Sequence, residues 1–182
     1  MTAGRSAAPR IFEGTIRACK NQYLVQHSVN VKHSMVSGGN GLVDVYTGSL
    51  AVLTGLDDGD IHLRLELHES EPPLDLEAWD EVVDVSFHAE KSLFLEQLFG
   101  GGAEDFPPLN FKGEGDYRIR VCARGRDEAN RTFESVEFHA IQVWSDTFGP
   151  PTGHRFRDAF GERWRQRAQA RTRPPGPTAS NG

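Results

Sequence analysis

The sequence predicts an all-β protein, an antiparallel β-sandwich with a C-terminal amphipathic helix, and three observations carry that prediction. Several segments alternate apolar and polar residues with a period of two, the pattern of strands with one buried face. Between them lie clusters of turn formers: SGGNG (37–41), LDDGD (56–60), ESEPP (69–73), FGGGAED (99–105) and KGEGD (112–116). Strands do not alternate regularly with helices, which disfavours a parallel α/β fold. A chain of 182 residues suits one domain plus tails. We expect residues 1–10 and 172–182 to be disordered, 11–148 to form the sandwich, and 149–171 to supply a hinge at GPP and the Arg-rich helix.

In chain order, YLVQHSVNV (23–31) alternates Tyr23 and Val25 with polar positions, and GSLAVLTG (48–55) is a short apolar strand. IHLRLELH (61–68) is the cleanest alternation, with Ile61, Leu63, Leu65 and Leu67 opposite His62, Arg64, Glu66 and His68. EVVDVSFH (81–88) sets Val83, Val85 and Phe87 against Val82, Asp84, Ser86 and His88. EKSLFLEQLF (90–99) fits a short helix or a strand. DYRIRVCA (116–123) puts Tyr117, Ile119 and Val121 inward and Arg118, Arg120 and Cys122 on a wet face. VEFHAIQVW (136–144) changes phase, which implies a bulge near Ala140 or a strand covered on both faces. In HRFRDAFGERWRQRAQAR (154–171), Phe156, Phe160 and Trp164 fall at i, i+4 and i+8 of a helix that Gly161 weakens.

The net charge of −6 hides a segregation. From residue 154 onward seven arginines face only Asp158 and Glu162, so the tail carries +5 and the preceding body −11. No apolar run approaches a membrane span and the first residues lack the apolar stretch of a secretory signal, so the expected compartment is the cytoplasm. Cys19 and Cys122, the two cysteines, are expected to be reduced there.

No motif for chemistry emerges. His62 and His68 share a face but stand six residues apart, roughly 20 Å in an extended strand, so they cannot hold one ion. The HExxH, GxSxG, GxGxxG and phosphate-loop patterns are absent. Nothing marks one of the many carboxyls for a raised pKa. The expectation is therefore no catalytic residue, no cofactor and no metal; a hydrolase of unknown type ranks last among the functions considered.

Charge suggests partners instead. Residues 57–90 carry twelve carboxylates opposed by Arg64 alone, a field that repels nucleic acid and draws in a basic protein. The expected partner-binding surface combines Asp57, Asp58, Asp60, Asp80, Glu81 and Asp84 with the loop residues Arg124, Arg126, Asp127 and Glu128. The C-terminal helix suits nucleic acid or an anionic membrane, or else docks its aromatics on the sandwich with its arginines toward the acidic body. Docking is expected, because three large aromatics left in water form a costly patch. If 116–124 and 136–144 pair across the turn GRDEANRTFE, Glu134 and Glu137 come within reach of Arg124 and Arg120.

GDYRIRVCARGRDE (115–128) followed by HAIQVW (139–144) resembles the closing hairpin of a group of bacterial proteins. In these a G-D-Y-R strand runs into A-R-G-x-D-E, and an aliphatic strand ending in Q-x-W follows. It is similar, more distantly, to the end of the competence protein J and nuclease-inhibitor family. That resemblance implies a small acidic β-sandwich that binds and blocks a DNA-degrading nuclease. It supplies no inhibitory residue, and the Arg-rich tail departs from the family's pattern. The leading expectation is a non-enzymatic protein-binding module whose partner is a basic protein, such as a nuclease encoded nearby. The alternative is a small-ligand or nucleic-acid-binding module that uses the C-terminal helix.

Overall fold

Strict alternation along IHLRLELH becomes the spine of the fold: Ile61, Leu63, Leu65 and Leu67 are buried, and His62, Arg64 and Glu66 point away from the core. The structure, a computed structural model, describes residues 8–27, 34–98, 101 and 103–172. In chain order its elements are β1 (Arg10–Cys19), β2 (Gln22–His27), β3 (Met35–Ser37), β4 (Val43–Tyr46), β5 (Ser49–Leu53), β6 (Asp58–Leu67) and β7 (Glu81–Ala89). There follow β8 (Leu93–Glu96), β9 (Gly115–Arg124), α1 (Arg126–Thr132), β10 (Phe138–Ser145), β11 (Thr152–Phe156) and α2 (Ala159–Thr172). A six-stranded sheet in the order β1-β6-β10-β9-β7-β11 packs against a five-stranded sheet in the order β3-β4-β5-β2-β8. One core fills the space between, built from residues such as Tyr23, Val25, Leu50, Val52, Leu65, Val83, Ile119, Val121 and Ile141.

The sandwich matches expectation, with one amendment: β10 runs parallel to β6, so the large sheet is mixed. Alternation fixes which side chains face inward and is silent on strand direction. The chain between residues 68 and 137 is long enough to make the crossover that a parallel pair requires. The expected hairpin forms in register, from Arg124 opposite Phe138 to Tyr117 opposite Ser145. Its connection is the helix α1 rather than a plain turn. Gly125, at φ 80°, swings the chain out of β9; a Cβ there would come within 2.6 Å of the Val136 carbonyl oxygen. Asp127 and Glu128 then suit the first turn of α1, and Arg131 its last.

Two ambiguous segments resolve. Residues 93–96 are strand β8, paired with β2. β10 pairs with β9 without a register shift and is covered on both faces: His139, Ile141 and Val143 turn inward, while Ala140 and Trp144 are buried on the other side. The cover is a strap, residues 71–80, lying over the outer face of the large sheet; its Leu76 and Trp79 pack on Val82, Cys122 and Ala140. The supposedly wet face of β9 and β7 is thus dry at Arg120, Cys122, Asp84 and Ser86. Residues 149–171 also depart from the hinge-and-helix expectation, because 152–156 form β11 on the edge of the large sheet beside β7. TGHRF has one large apolar residue, so no periodicity announces it. The tails expected to be disordered fall outside the described residues, apart from 8–10 at one end and Thr172 at the other.

Tyr117 locks the turn before β9: its hydroxyl donates to the Gly113 carbonyl (2.9 Å) and accepts from the Lys112 amide (3.1 Å). Tyr117→Phe should cost about 1 kcal/mol in chemical denaturation, with no change in the circular dichroism of the native state. Neither cysteine is bridged. Burial pushes the Cys122 thiol up to about 12, so Cys122 should resist alkylation until the protein unfolds, a protection mass spectrometry of pulse-labelled protein would reveal.

Candidate functional site

The four arginines of the β9 region, which alternation presents as one ladder, serve four different ends. Arg118 donates to the Ser86 hydroxyl (3.0 Å) and to the carbonyl of Pro150 (2.9 Å), tying down the chain that leads into β11. Arg120 forks onto Asp84 (2.8 and 3.0 Å) and reaches the Pro72 carbonyl (3.1 Å) and Glu71 (3.2 Å), pinning the strap. Arg124 lies over the rings of Phe138 (4.7 Å) and Trp79 (5.6 Å). Arg126 is fully buried. It forks onto Asp158 (2.6 and 2.9 Å) and donates to the carbonyls of Gly41 (2.8 Å) and Leu53 (3.2 Å).

Around Arg126 a dry charge cluster fastens α2. Asp158 caps the helix through the Gly161 amide (2.7 Å), and Asp127 accepts the Ala159 and Phe160 amides (2.9 and 2.8 Å). Glu81 accepts from Arg165 (2.8 Å) and from the backbone amides of Arg157 (3.0 Å) and Asp158 (3.2 Å). The expected docking is therefore real, although only Phe160 (5% exposed) is deeply buried. Phe156 belongs to β11, not to the helix; it is 45% exposed and lies beneath Arg165.

Burial raises the Glu81 carboxyl from the usual 4.5 to about 7, opposed by the hydrogen bond from Arg165 and reinforced by the neighbouring Asp158. The folded chain then binds this proton more tightly than the unfolded chain. The contribution of Glu81 to stability is accordingly greatest below its unfolded pKa and is lost as pH rises through about 7. Relative to Glu81→Gln, the wild-type melting temperature should fall between about pH 5 and about pH 8, as scanning calorimetry would register.

These contacts correct the expected partner surface. Glu81 (0% exposed), Asp84 (3%) and Arg126 (0%) are interior groups whose charges are spent on one another and on backbone, so they cannot meet a partner. Asp127 is exposed, but its carboxylate caps α2. Asp57, Asp58, Asp60, Glu128 and Arg124 are exposed, and Asp80 is half-buried. Most of these acids gather at one end of the sandwich. Asn130 of α1 donates to the Gly55 carbonyl (3.0 Å), and Ser135 bonds the Asp60 carbonyl. Asp80 accepts the Gly125 amide (3.2 Å) at the entry to α1. Gly55 permits the close approach, since a Cβ there would sit 2.0 Å from the Arg126 carbonyl oxygen. The result is an acidic end face bearing Asp57, Asp58, Asp60, Glu128 and Glu134, with Arg17 paired to Asp58 and Arg131 to Glu128 (3.9 Å).

Other candidates take structural roles. Glu137, expected near Arg120, is buried; it accepts the amides of Gly55 (3.1 Å) and Leu56 (3.0 Å) and faces His139 Nε2 (2.7 Å). His139 Nδ1 meets the Tyr23 hydroxyl (3.0 Å), so a polar chain bolts the two sheets together. Two ionisable residues two positions apart in an otherwise apolar strand were its only sequence signal. His68 contacts Glu66 (2.8 Å), and exposed His88 pairs with Asp116 (2.6 Å). Among the described residues no cluster of His, Cys, Asp and Glu could hold a metal ion, and no helix is long and apolar enough to cross a membrane.

No protein-family model and no curated protein sequence matches the chain. Two solved structures are similar to it. ComJ from Bacillus subtilis, the inhibitor of the DNA-degrading activity of NucA, superposes with a TM-score of 0.55 at 14% identity, covering 77% of this chain and all of ComJ. The crocagin biosynthetic gene J protein gives a TM-score of 0.48 at 14% identity, over 78% of this chain and all of that one. The chain has a ComJ-like fold. That similarity extends over most of the sandwich, well beyond the hairpin on which the resemblance in sequence rests.

Proposed function

We propose that this chain is a non-enzymatic protein-binding module, an inhibitor or immunity-type partner of a basic protein such as a nuclease encoded nearby, acting in the cytoplasm. The observation that carries the reading is the acidic end face, where Asp57, Asp58, Asp60, Glu128 and Glu134 stand exposed on a ComJ-like sandwich. Such a face speeds encounter with a cationic surface and binds less well as salt rises.

The test is affinity capture with the product of the adjacent gene, followed by titration calorimetry across a salt series. Asp57→Lys, Asp58→Lys and Asp60→Lys together should weaken binding by about tenfold or more while leaving the fold intact, because all three side chains are exposed. Unchanged affinity would exclude this face. Reversing Glu81 or Asp84 would not serve, since either change places an unpaired lysine in the interior.

A second reading has one observation in its favour. Arg163, Arg167 and Arg171 are exposed at i, i+4 and i+8 on α2, a spacing that aligns them along one face of the helix. A DNA or RNA mobility shift abolished by replacing all three with Glu would support it. Deleting residues 154–182 would not test it, because Arg155, Asp158 and Phe160 belong to the packed interior.

A further inference from the structure

Arg124 makes no hydrogen bond and no ion pair among the described residues; its guanidinium is held only by the faces of Phe138 and Trp79. The His62 ring stacks on Phe138 at 4.6 Å and 17° from the neighbouring strand β6, while Arg124 covers Phe138 from β9, so the row presents its ring edges outward. Together they flank a groove of about 780 Å³ on the outer face of the large sheet, between the strap and strands β1, β6 and β10. Its floor is Ala140, which lies opposite Arg64 on β6 and Cys122 on β9. A methyl group at that outward position leaves a hollow between Phe138 and Gln142. The volume falls within the usual range for small-molecule sites.

The charges along the groove define what could fill it. With aromatic rings as its partners, the Arg124 guanidinium keeps its N–H fork free, and that fork can receive a carboxylate through two parallel hydrogen bonds. The remaining charged groups of the lining, and His62, already have partners. Arg64 is neutralised by Glu13 (3.0 Å) and Glu66 (2.6 Å), and Glu66 also accepts from Gln142 (2.9 Å). His62 Nε2 faces the Ser135 carbonyl (3.2 Å), and Asp75 accepts the Glu77 amide (3.1 Å). Carboxylates of Glu13, Glu66 and Asp75 along the groove oppose any second negative charge on an occupant. One free cation beside an aromatic wall and an otherwise anionic lining calls for a flat ligand with a single negative charge.

We infer that the groove binds a planar aromatic monocarboxylate, its carboxylate on Arg124 and its ring against Trp79 and the outward edges of Phe138 and His62. This site adjoins the acidic end face at Ser135 but shares none of its acidic residues and does not rest on the inhibitor reading. Titration calorimetry with indole-3-acetate is the test, with indole-3-acetamide as the uncharged analogue and adenosine monophosphate as the more highly charged aromatic anion. Saturable binding of indole-3-acetate is expected, about tenfold weaker or worse for the amide and in Arg124→Met. Arg124 is exposed, so the variant should fold, which circular dichroism would verify. Arg124→Lys keeps the charge and loses the planar fork, and should restore only part of the affinity. Absence of saturable binding, equal binding of acid and amide, or unchanged affinity in Arg124→Met would each overturn the assignment. Tighter binding of adenosine monophosphate than of indole-3-acetate would overturn the monocarboxylate and point to a phosphate.

Discussion

Replacing Arg126 with Met should lower the free energy of unfolding by roughly 3–5 kcal/mol, the cost of removing one partner from a buried ion pair. The residue is fully buried and satisfies four acceptor atoms: both oxygens of Asp158 and the carbonyls of Gly41 and Leu53. Its removal leaves Asp158 and Glu81 as neighbouring carboxylates, with Arg165 the nearest cation. Urea denaturation of wild type and variant would measure the difference, and a loss under about 1 kcal/mol would show that water or repacking compensates. Because α2 hangs on this cluster, the variant should also expose its helix to protease before the sandwich unfolds. Adding Asp158→Asn, which keeps a cap for Gly161 while removing the stranded charge, should recover part of the loss.

The second large effect is expected at Glu137. Glu137→Ala strips the acceptor from the Gly55 and Leu56 amides and from the His139 ring, three groups sealed from water. An unsatisfied buried donor costs roughly 1–3 kcal/mol, so the variant should lose about 3 kcal/mol or more in denaturant titration. Hydrogen exchange at Gly55 and Leu56 should accelerate more than exchange in the centre of β6. Glu137→Gln keeps one carbonyl acceptor and should lose less. Equal losses in the two variants would mean that cavity formation, not hydrogen bonding, sets the cost.

Particular residues show where sequence reasoning succeeds. β6 was legible because Ile61, Leu63, Leu65 and Leu67 alternate with polar residues over a full strand, and the β9–β10 hairpin because two patterned segments flank a short polar connection. The ComJ-like fold was legible through the resemblance of residues 115–144. Of the expected surface, Asp57, Asp58, Asp60 and Glu128 are exposed. The failures share one cause. Glu81, Asp84, Arg120 and Arg126 read as solvated because they are charged, yet each is buried beside an opposite charge supplied by a distant segment. The groove around Arg124 went unseen because Trp79, His62 and Phe138 come from three separate stretches of chain.

The sequence by itself determined the period of the strands, the places where the chain turns and the segregation of charge between body and tail, since each is a property of neighbours along the chain. Only the tertiary structure decided which charges are spent in the interior and which remain for a partner. A carboxylate on the outer face of a strand is wet or dry according to what folds over it. In this protein the strap of residues 71–80, β11 and α2 do the covering, and no local pattern in β7 or β9 records their arrival.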